Sequence, residues 1–357
     1  MSDLPLFPIS LTDDDHVLRL MSDLIQWPEP GAQQRATAFF KPEDPEDSVL
    51  ESIFAPLRAQ CRPIVRTAGT SPAGARVLVS RRGAVDAAAL SAAGRVTLVQ
   101  RLGERPKGLD IAACHSHGAQ VSLLPRHSLE HVADHTLLLI LATLRRLPAA
   151  QAALHAHGGP AGARGQVSYN WPGVTGLRAL SGLTLGIVGL GEIGLRVARR
   201  ARAFGMQILW CAPEGSSPTP EAADWTRLDL ATLLGAADVV TLHVPPAGLN
   251  GPLIGAVELA RMKPGAVLVN TARGALVDET ALARALHAGH LSGAALDVHG
   301  AEPPDPASPL RARQDVLLTP HVAGGSRQEV LREMAALCDN FVDALNGLPP
   351  RHGQVAA

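Results

Sequence analysis

The chain has 357 residues, of which 46% are hydrophobic and 18% charged, and its formal net charge is -1. At about 100–200 residues per domain this length predicts two domains, and the near-neutral charge excludes a broad basic surface that would hold nucleic acid or an anionic membrane. No apolar run reaches the roughly 18 residues of a membrane span, and the N-terminus lacks the pattern of a signal peptide. The four scattered cysteines form no CxxC pair, which favours reduced thiols and a cytoplasmic location.

The first part of the chain alternates short strands with helices. A helix is predicted over DDDHVLRLMSDLIQW, and strands are predicted at ATAFF, PIVRTA, ARVLVS and RVTLVQR. Further helices are predicted at EDSVLESIFAPLRAQ and VDAAALSAA, and this alternation indicates a parallel, doubly wound sheet. A long apolar helix, SLEHVADHTLLLILATLRRL, then leads to a Gly-rich segment, Ala149–Gly173, that is predicted to be a loop.

A second alternating series begins at Leu183. Its predicted strands are TLGIVGL, MQILWC, DVVTLHV, AVLVNTA and AALDV, with helices such as EIGLRVARRARAF and DETALARALHAG between them. The last helix, SRQEVLREMAALCDNFVDALNGL, lies beyond this series and is expected to return to the first unit. The pattern therefore predicts two α/β units.

A glycine-rich turn opens the second series. Gly189, Gly191 and Gly194 form G-x-G-x-x-G directly after a strand and at the start of a helix. In a dinucleotide site these glycines permit the tight turn, the approach of the pyrophosphate and close helix–strand packing. The N–H groups of Glu192 and Ile193 would meet the phosphates at the positive end of the helix dipole. A tight turn without a ligand is the alternative, but the strand–turn–helix context favours a dinucleotide.

Three ionisable residues follow later predicted strands. Arg273 lies in NTARGALVDE, Glu302 follows LDV in LDVHGAEPP, and His321 lies in LLTPHVAGG. Open α/β sheets carry their ligands at the carboxyl ends of their strands. An arginine there can hold a carboxylate through two parallel hydrogen bonds, a histidine can transfer a proton, and a glutamate beside it favours the protonated imidazole. Each of the three has a plain surface or structural role as its alternative. As a set beside a nicotinamide, they suit hydride transfer to a 2-oxo acid.

In these motifs the chain resembles the D-isomer-specific 2-hydroxyacid dehydrogenases. The likeness runs from about Ala75 to the final helix and includes TLGIVGLGEIG, LHVP, KPGAVLVNTARGALVDE, GAALDV, EPP and LTPHVAGG, in that order. The resemblance implies that Arg273, Glu302 and His321 are catalytic and that NAD(H) or NADP(H) is the cofactor. Beyond the glycine turn, it implies cofactor contacts at Ala212, Val244, Pro245, Thr271, Ala272, Asp297 and Gly324.

The resemblance also implies the architecture. We expect an α/β fold with two doubly wound parallel-sheet domains. Residues 1–130 and 326–357 would form a flavodoxin-like substrate domain, and residues 131–325 an inserted Rossmann dinucleotide-binding domain. The family implies a homodimer joined through its cofactor domains and a small 2-oxo or 2-hydroxy acid as substrate, with glyoxylate and hydroxypyruvate as the leading types. The alternative function is a dinucleotide-sensing binding protein of the corepressor type on the same fold.

Two segments depart from the family pattern. The N-terminal 35 or so residues are divergent, and no role is assigned to them. The loop QRLGERPKGLD, which is usually glycine-rich in the family, keeps Gly103 but carries Glu104, Arg105 and Lys107. Gly103, Glu104 and Arg105 are predicted to bind substrate. Arg105 or Lys107 would reach a second anionic group on it, unless both side chains simply point to water.

The cofactor preference is ambiguous in the sequence. An acidic residue about 20 residues past the glycines marks NAD-binding folds, and the resemblance places that position at Ala212. No arginine follows directly, and Glu214 or the hydroxyls of Ser216, Ser217 and Thr219 are the nearby polar groups. We therefore expect weak discrimination between the two dinucleotides, with NADPH used appreciably.

The sequence also argues against a metal site and against two other classes of enzyme. The HxxxH spacing of His127, His131 and His135 and the cluster of Cys114, His115 and His117 can suit a metal, but no second ligand pair accompanies them, so no metal is predicted. Glu302 argues against the formate-type members, which pair the histidine with glutamine. The end of the chain just after the last helix argues against a phosphoglycerate enzyme with a C-terminal regulatory domain.

Overall fold

The computed structural model describes residues 4–40, 47–156, 174–212, 220–246, 250–325 and 327–356. The chain forms two compact units: unit 1 comprises Met1–Ser128 and Ser326–Ala357, and unit 2 comprises Leu129–Gly325. The expected first boundary, between residues 130 and 131, lies two residues later than this division, and the expected second boundary coincides with it.

The described elements alternate along the chain. The strands are β1 (Leu6–Leu11), β2 (Arg62–Arg66), β3 (Val77–Ser80), β4 (Leu98–Leu102), β5 (Gln120–Leu124), β6 (Thr184–Val188), β7 (Gln207–Cys211), β8 (Thr226–Arg227), β9 (Val239–Leu242), β10 (Val267–Asn270), β11 (Gly293–Leu296), β12 (Val316–Leu318) and β13 (Gln354–Val355). The helices are α1 (His16–Gln26), α2 (Pro30–Phe40), α3 (Asp47–Ile53), α4 (Ala55–Arg58), α5 (Ala87–Ala93), α6 (Ile111–Ser116), α7 (Ser128–Leu144), α8 (Leu147–Ala156), α9 (Glu192–Ala203), α10 (Leu230–Ala236), α11 (Ala256–Arg261), α12 (Glu279–His287) and α13 (Arg327–Leu345).

Unit 1 is built on a sheet in the order β13-β5-β4-β3-β1-β2. Strands β1 to β5 are parallel, and β13 pairs antiparallel with β5 at the edge. The parallel strands have the 2-1-3-4-5 order of flavodoxin-like folds. On one face, helix α13 contributes Met334, Leu337 and Phe341 to the same apolar core as Phe7 and Phe54, so the final helix packs in unit 1 as its position in the chain predicted.

The N-terminal residues, to which the sequence assigned no role, are an integral part of unit 1. β1 pairs with both β2 and β3, and Phe7 and Ile9 on it are fully buried. The predicted strand ATAFF is also wrong, because these residues end helix α2. Ala32 and Ala36 are both buried, and their spacing of four residues places them on the same buried face of the helix. The short apolar run ATAFF, taken alone, does not show this helical spacing.

Unit 2 is built on a fully parallel sheet in the order β12-β11-β10-β9-β6-β7-β8. Counted from β6, this is the 3-2-1-4-5-6 order of the Rossmann fold with one further strand at the β12 edge. Two apolar clusters cover its faces, one including Ile187 and Trp210 and the other Val240 and Leu268. The two parallel-sheet α/β units confirm the expected fold class.

The segment predicted as a Gly-rich loop begins differently. Residues Leu147–Ala156 form helix α8, since their alanines and leucines favour a helix over a loop. The remainder of the segment, residues 157–173, lies outside the described residues. Across the described ranges no single helix is long and apolar enough to cross a membrane. The bent helix pair Ser128–Leu144 and Leu147–His155 has the length and composition of a membrane span only when its two helices are taken together.

Candidate active site

The expected functional residues of unit 2 follow the carboxyl ends of its parallel strands. Because the strands are parallel, these ends meet at one edge of the sheet, where doubly wound folds carry their ligands. The turns at this edge follow β6, β7, β9, β10, β11 and β12. The residues concerned are Gly189–Gly194, Ala212, Val244, Pro245, Thr271–Arg273, Asp297, Glu302 and His321.

The glycine turn has three distinct local constraints. Gly189 has a positive φ of 97°, and a Cβ there would lie 2.5 Å from Val244 Cγ1. A Cβ on Gly194 would lie 2.2 Å from the carbonyl oxygen of Gly189, so the helix packs against the turn only because a side chain is absent. Around Gly191 no atom lies within 4 Å of the Cβ position, which leaves open space beside the backbone. This cradle fits a dinucleotide pyrophosphate.

Helix α9 starts at this open position. Gly191 is its N-cap, and the first helical hydrogen bond runs from Leu195 N to Gly191 O. The N–H groups of Glu192 and Ile193 therefore precede the helical ladder, at the end of the helix that carries the positive dipole. The helix itself is fixed to α7, because Arg196 and Arg200 on α9 both bind Glu130 at 2.6 Å.

His321 and Glu302 form the direct pair that the sequence predicted. His321 Nδ1 lies 2.8 Å from Glu302 Oε2, and both side chains are about half exposed, at 46% and 40%. An ionised carboxylate only accepts hydrogen bonds, so Nδ1 carries the proton of this contact, and Nε2 is the nitrogen left to act on a ligand. Burial of the Glu302 carboxyl acts to raise its pKa, but the hydrogen bonds from His321 and from the His299 backbone N–H outweigh this and hold the pKa below its ordinary value.

The His321 loop is held from inside by Asp297. Asp297 Oδ1 accepts from the Thr319 hydroxyl at 2.6 Å and from Val322 N at 2.9 Å, and Oδ2 accepts from Ala323 N at 2.9 Å. The Asp297 side chain is fully buried. The resemblance placed Asp297 among the cofactor contacts, and that role stays a prediction. In the structure its carboxylate supports the loop that carries His321.

Two histidines support the same loop. His135 Nε2 lies 3.2 Å from the Thr319 hydroxyl, whose proton goes to Asp297, so the histidine donates to Thr319. His299 Nε2 lies 2.9 Å from the carbonyl oxygen of Thr319, which it binds as a donor. His135 belongs to the HxxxH series in which a metal was rejected. No three His, Cys, Asp or Glu side chains converge on a metal position within the part of the chain that the structure describes.

Arg273 lies in a turn that is braced from both sides. Asn270 accepts from Ala272 N at 3.0 Å and donates to Arg273 O at 2.9 Å, which closes the turn after β10. A Cβ on Gly274 would lie only 1.9 Å from the carbonyl oxygen of His299, so this turn lies directly against the loop that leads to Glu302. The Arg273 side chain is exposed. Arginine, glutamate and histidine therefore occur on adjoining turns at the same edge.

The remaining expected cofactor positions differ in exposure. Thr271 is buried, and its hydroxyl pairs with that of Thr136 at 2.9 Å, so its side chain is engaged within unit 2. Val244, Ala272 and Ala212 are half-buried, and Pro245 and Gly324 are exposed.

Sequence reasoning missed an arginine beside Ala212. Arg227 on β8 is paired in register with Trp210 on β7, and its Nη2 lies 3.4 Å from Ala212 O. β8 has only two residues, which is too short for a strand pattern, so nothing in the sequence indicated this pairing. The other polar groups considered at this site, Glu214, Ser216, Ser217 and Thr219, lie outside the described residues.

In unit 1, the loop after β4 is organised by a buried arginine that the sequence did not single out. Arg101 is 2% exposed, and its Nη2 lies 2.7 Å from Lys107 O and 3.2 Å from Gly83 O. Gly103 has a positive φ of 134°, and its N–H donates to Leu124 O at 2.9 Å. Arg105 is half-buried, and Glu104 and Lys107 are exposed. The turn is thus fixed at both ends, and between them Glu104 is exposed while Arg105 is half-buried.

Comparison with known proteins gives a consistent family. Residues 137–323 match the model of the D-isomer specific 2-hydroxyacid dehydrogenase NAD binding domain. The chain is 35% identical to a glyoxylate reductase of Aeropyrum pernix over 267 residues, covering 74% of this chain and 78% of that protein. It is 33% identical to a D-3-phosphoglycerate dehydrogenase of Archaeoglobus fulgidus over 276 residues, covering 77% of this chain and 50% of that protein.

The structural match extends over nearly the whole chain. The crystal structure of an NADPH-dependent glyoxylate/hydroxypyruvate reductase from Sinorhizobium meliloti, in complex with citrate, aligns with a TM-score of 0.57 at 25% identity. The alignment covers 98% of this chain and 97% of that one. By contrast, the chain spans about half the length of the curated D-3-phosphoglycerate dehydrogenases it matches. With its glycine cradle and its arginine, glutamate and histidine at one sheet edge, the chain belongs to the D-isomer specific 2-hydroxyacid dehydrogenase family and carries that family's domain for NAD(H) or NADP(H).

Proposed function

We propose that this chain reduces small 2-oxo acids to 2-hydroxy acids of the D configuration, with glyoxylate and hydroxypyruvate as the leading substrate types. The observation that carries the proposal is the 2.8 Å contact between His321 Nδ1 and Glu302 Oε2 at the sheet edge that also bears the glycine cradle. A general acid pair of this kind has a use in oxo-acid reduction, whereas dinucleotide binding alone does not require it. The names of the Aeropyrum and Sinorhizobium relatives support the same substrate types.

The cofactor fits the residues present. The open space beside Gly191 and the start of α9 suit the pyrophosphate, and the nicotinamide supplies the hydride that the reduction needs. Val244, Pro245 and Ala272 are proposed to line the dinucleotide from the neighbouring turns.

Each of the three ionisable residues has a separate task. Arg273 binds the substrate carboxylate through its planar fork and polarises the adjacent carbonyl group. His321 holds a proton on Nε2 and gives it to the carbonyl oxygen as negative charge develops there. Glu302 accepts a hydrogen bond from Nδ1–H, which orients the ring so that Nε2 faces the substrate. In the direction of hydroxy-acid oxidation, the same nitrogen takes the proton from the hydroxyl group.

Unit 1 is proposed to contribute to substrate selection. Gly103, Glu104 and Arg105 lie on the turn after β4, at the carboxyl edge of its sheet. Arg105 and Lys107 add positive charge where the family usually has glycine, which would favour an oxo acid with a second anionic group.

We further propose a homodimer in the cytoplasm. Leu138, Leu147 and Leu154 on α7 and α8 are exposed apolar side chains, and a second copy of the chain would remove them from water. All four cysteines are buried without a disulfide, which suits a reducing compartment.

The decisive experiment follows the loss of absorbance of NADH and NADPH in the presence of a panel of 2-oxo acids. Turnover of glyoxylate or hydroxypyruvate, lost in His321→Asn, would support the proposal. Tight dinucleotide binding without turnover of any oxo acid would contradict it and favour a sensing protein. Binding should be measured in parallel by titration of the dinucleotide, so that the two results are separated.

A further inference from the structure

The end of β7 is the place where a Rossmann fold distinguishes its two dinucleotides. The ribose of the adenosine half lies there, and an acid binds its hydroxyls in NAD-dependent proteins, whereas an arginine nearby accommodates the 2′-phosphate of NADP. In this chain the residue after β7 is Ala212, which offers neither an acceptor nor a negative charge. A side chain that reaches this point from a neighbouring strand can therefore act on the 2′ position.

Arg227 reaches it from the adjacent strand. Its guanidinium carbon lies 5.1 Å from the centroid of the Trp210 ring, and its Nη2 lies 3.4 Å from the main-chain oxygen of Ala212. Trp210 is almost fully buried, so its face is a fixed platform for the guanidinium. Arg227 itself is exposed. A positive charge is thus held at the strand end, accessible to a ligand.

The nearest acid along the chain does not oppose this charge at the strand end. Asp229 is the N-cap of α10, and its carboxylate accepts from Thr232 N at 2.9 Å and from the Thr232 hydroxyl at 2.6 Å. These hydrogen bonds commit Asp229 to the start of the helix, and they hold its pKa below the ordinary value.

Building on the proposed function, we propose that Arg227 binds the 2′-phosphate of NADP(H) and gives this chain a preference for NADP(H) over NAD(H). The guanidinium presents several N–H donors in a planar fork that matches phosphate oxygens. The contact with Trp210 restrains the guanidinium, so less conformational freedom is lost when the phosphate binds. Ala212 leaves room for the phosphate and does not repel it.

The test measures dinucleotide binding without any oxo acid, by calorimetric titration of the full chain with NADP+ and with NAD+. We expect NADP+ to bind more tightly than NAD+. Arg227→Ala should move the ratio of the two Kd values about ten-fold or more toward NAD+, the usual scale of a hydrogen bond to a charged group. Raising the salt concentration should weaken NADP+ binding more in the parent than in the variant.

Two further variants make the result specific. Arg284→Ala removes an exposed arginine from α12 of the same unit and should leave the ratio unchanged. Ala212→Asp places a carboxylate beside Arg227 and should move the ratio toward NAD+ by neutralising the guanidinium and adding a ribose acceptor.

The outcomes separate the two proposals. If Arg227→Ala and Arg284→Ala give the same ratio as the parent while both dinucleotides bind, the assignment of Arg227 is overturned and the proposed function stands. An equal loss of NADP+ and NAD+ binding in Arg227→Ala, with an unchanged melting temperature, would also overturn it. If neither dinucleotide binds the parent chain, both proposals fail.

Discussion

Gly274 lies where the turn that carries Arg273 contacts the loop that leads to Glu302. Its replacement by alanine tests how closely the turn and the loop are packed. The added Cβ would lie 1.9 Å from the carbonyl oxygen of His299, 2.0 Å from its carbonyl carbon and 2.6 Å from Gly300 N. All three are backbone atoms, so the clash cannot be relieved by the movement of a flexible side chain. An ordinary contact distance is near 3.4–4 Å, and the turns must therefore separate by roughly 1.5 Å to admit the methyl group.

A displacement of this size should affect catalysis more than cofactor binding. A misplacement of about 1 Å at a reacting group can lower a rate by about 100-fold, so we expect Gly274→Ala to lower kcat/KM for 2-oxo acids by at least that factor. Inserting a methyl group into a close-packed contact typically costs about 1–3 kcal/mol of stability. In a domain of this size that corresponds to a fall in Tm of about 2–12 °C. The glycine cradle is on another turn, so dinucleotide affinity should change little.

The matched control is Gly300→Ala, on the opposing loop. A Cβ there meets only Glu279 Oε1, at 3.6 Å, which is an ordinary contact. This variant should keep the parent's kcat/KM and Tm to within about three-fold and about 2 °C, since one methyl in open space changes stability little. If Gly274→Ala were as active and as stable as Gly300→Ala, the close contact between the two turns, and with it the arrangement of Arg273 beside Glu302, would be wrong.

Four further changes test the roles of individual side chains. His321→Asn should slow oxo-acid reduction by about 100-fold or more and leave dinucleotide binding intact; undiminished turnover would refute its role as the acid. Arg273→Lys keeps the charge but loses the planar fork, so efficiency should fall steeply, and a fully active lysine variant would refute bidentate binding. Glu302 ionises more readily than an ordinary glutamate, so its carboxylate accepts the Nδ1–H of His321 above its lowered pKa and loses this role as pH falls through it. Glu302→Gln removes the charged acceptor, so the reduction rate should fall while dinucleotide binding stays unchanged, and a variant as active as the parent would contradict the pairing. Replacing Arg105 and Lys107 together by alanine should weaken dicarboxylic oxo acids more than glyoxylate, and equal effects on both would count against the loop.

The candidate catalytic residues could be located in the sequence because their signals are local. A glycine pattern between a strand and a helix, and polar residues directly after apolar strands, need only the nearest elements to be read correctly. The pairing of His321 with Glu302 then follows from parallel strands whose carboxyl ends share an edge. The alternation of elements indicates a parallel sheet in unit 2, whereas its Rossmann strand order was implied by the resemblance to the family.

The missed features depend on partners that are distant in sequence. β1 contains Pro8 and lies near the N-terminus, yet it becomes a central strand because β2 and β3 pair with its two edges. Arg227 reaches the end of β7 through a strand of only two residues, which periodicity cannot detect. Arg101 is hidden within the sheet, and only its contacts with Gly83 and Lys107 reveal that it holds the loop after β4.

Asp297 was found by its position in the sequence, and its contacts explain how the His321 loop keeps an unfavourable shape. His321 has a positive φ of 53°, a conformation that costs a residue with a side chain roughly 1–3 kcal/mol. Three hydrogen bonds to the buried carboxylate of Asp297 fix Thr319, Val322 and Ala323 on either side of the histidine, and so hold it in this conformation. The loop is therefore fixed by the strand beneath it before any ligand arrives. A proton donor held in this way needs no rearrangement when charge develops on the substrate, and this is the condition under which a preorganised site lowers a barrier.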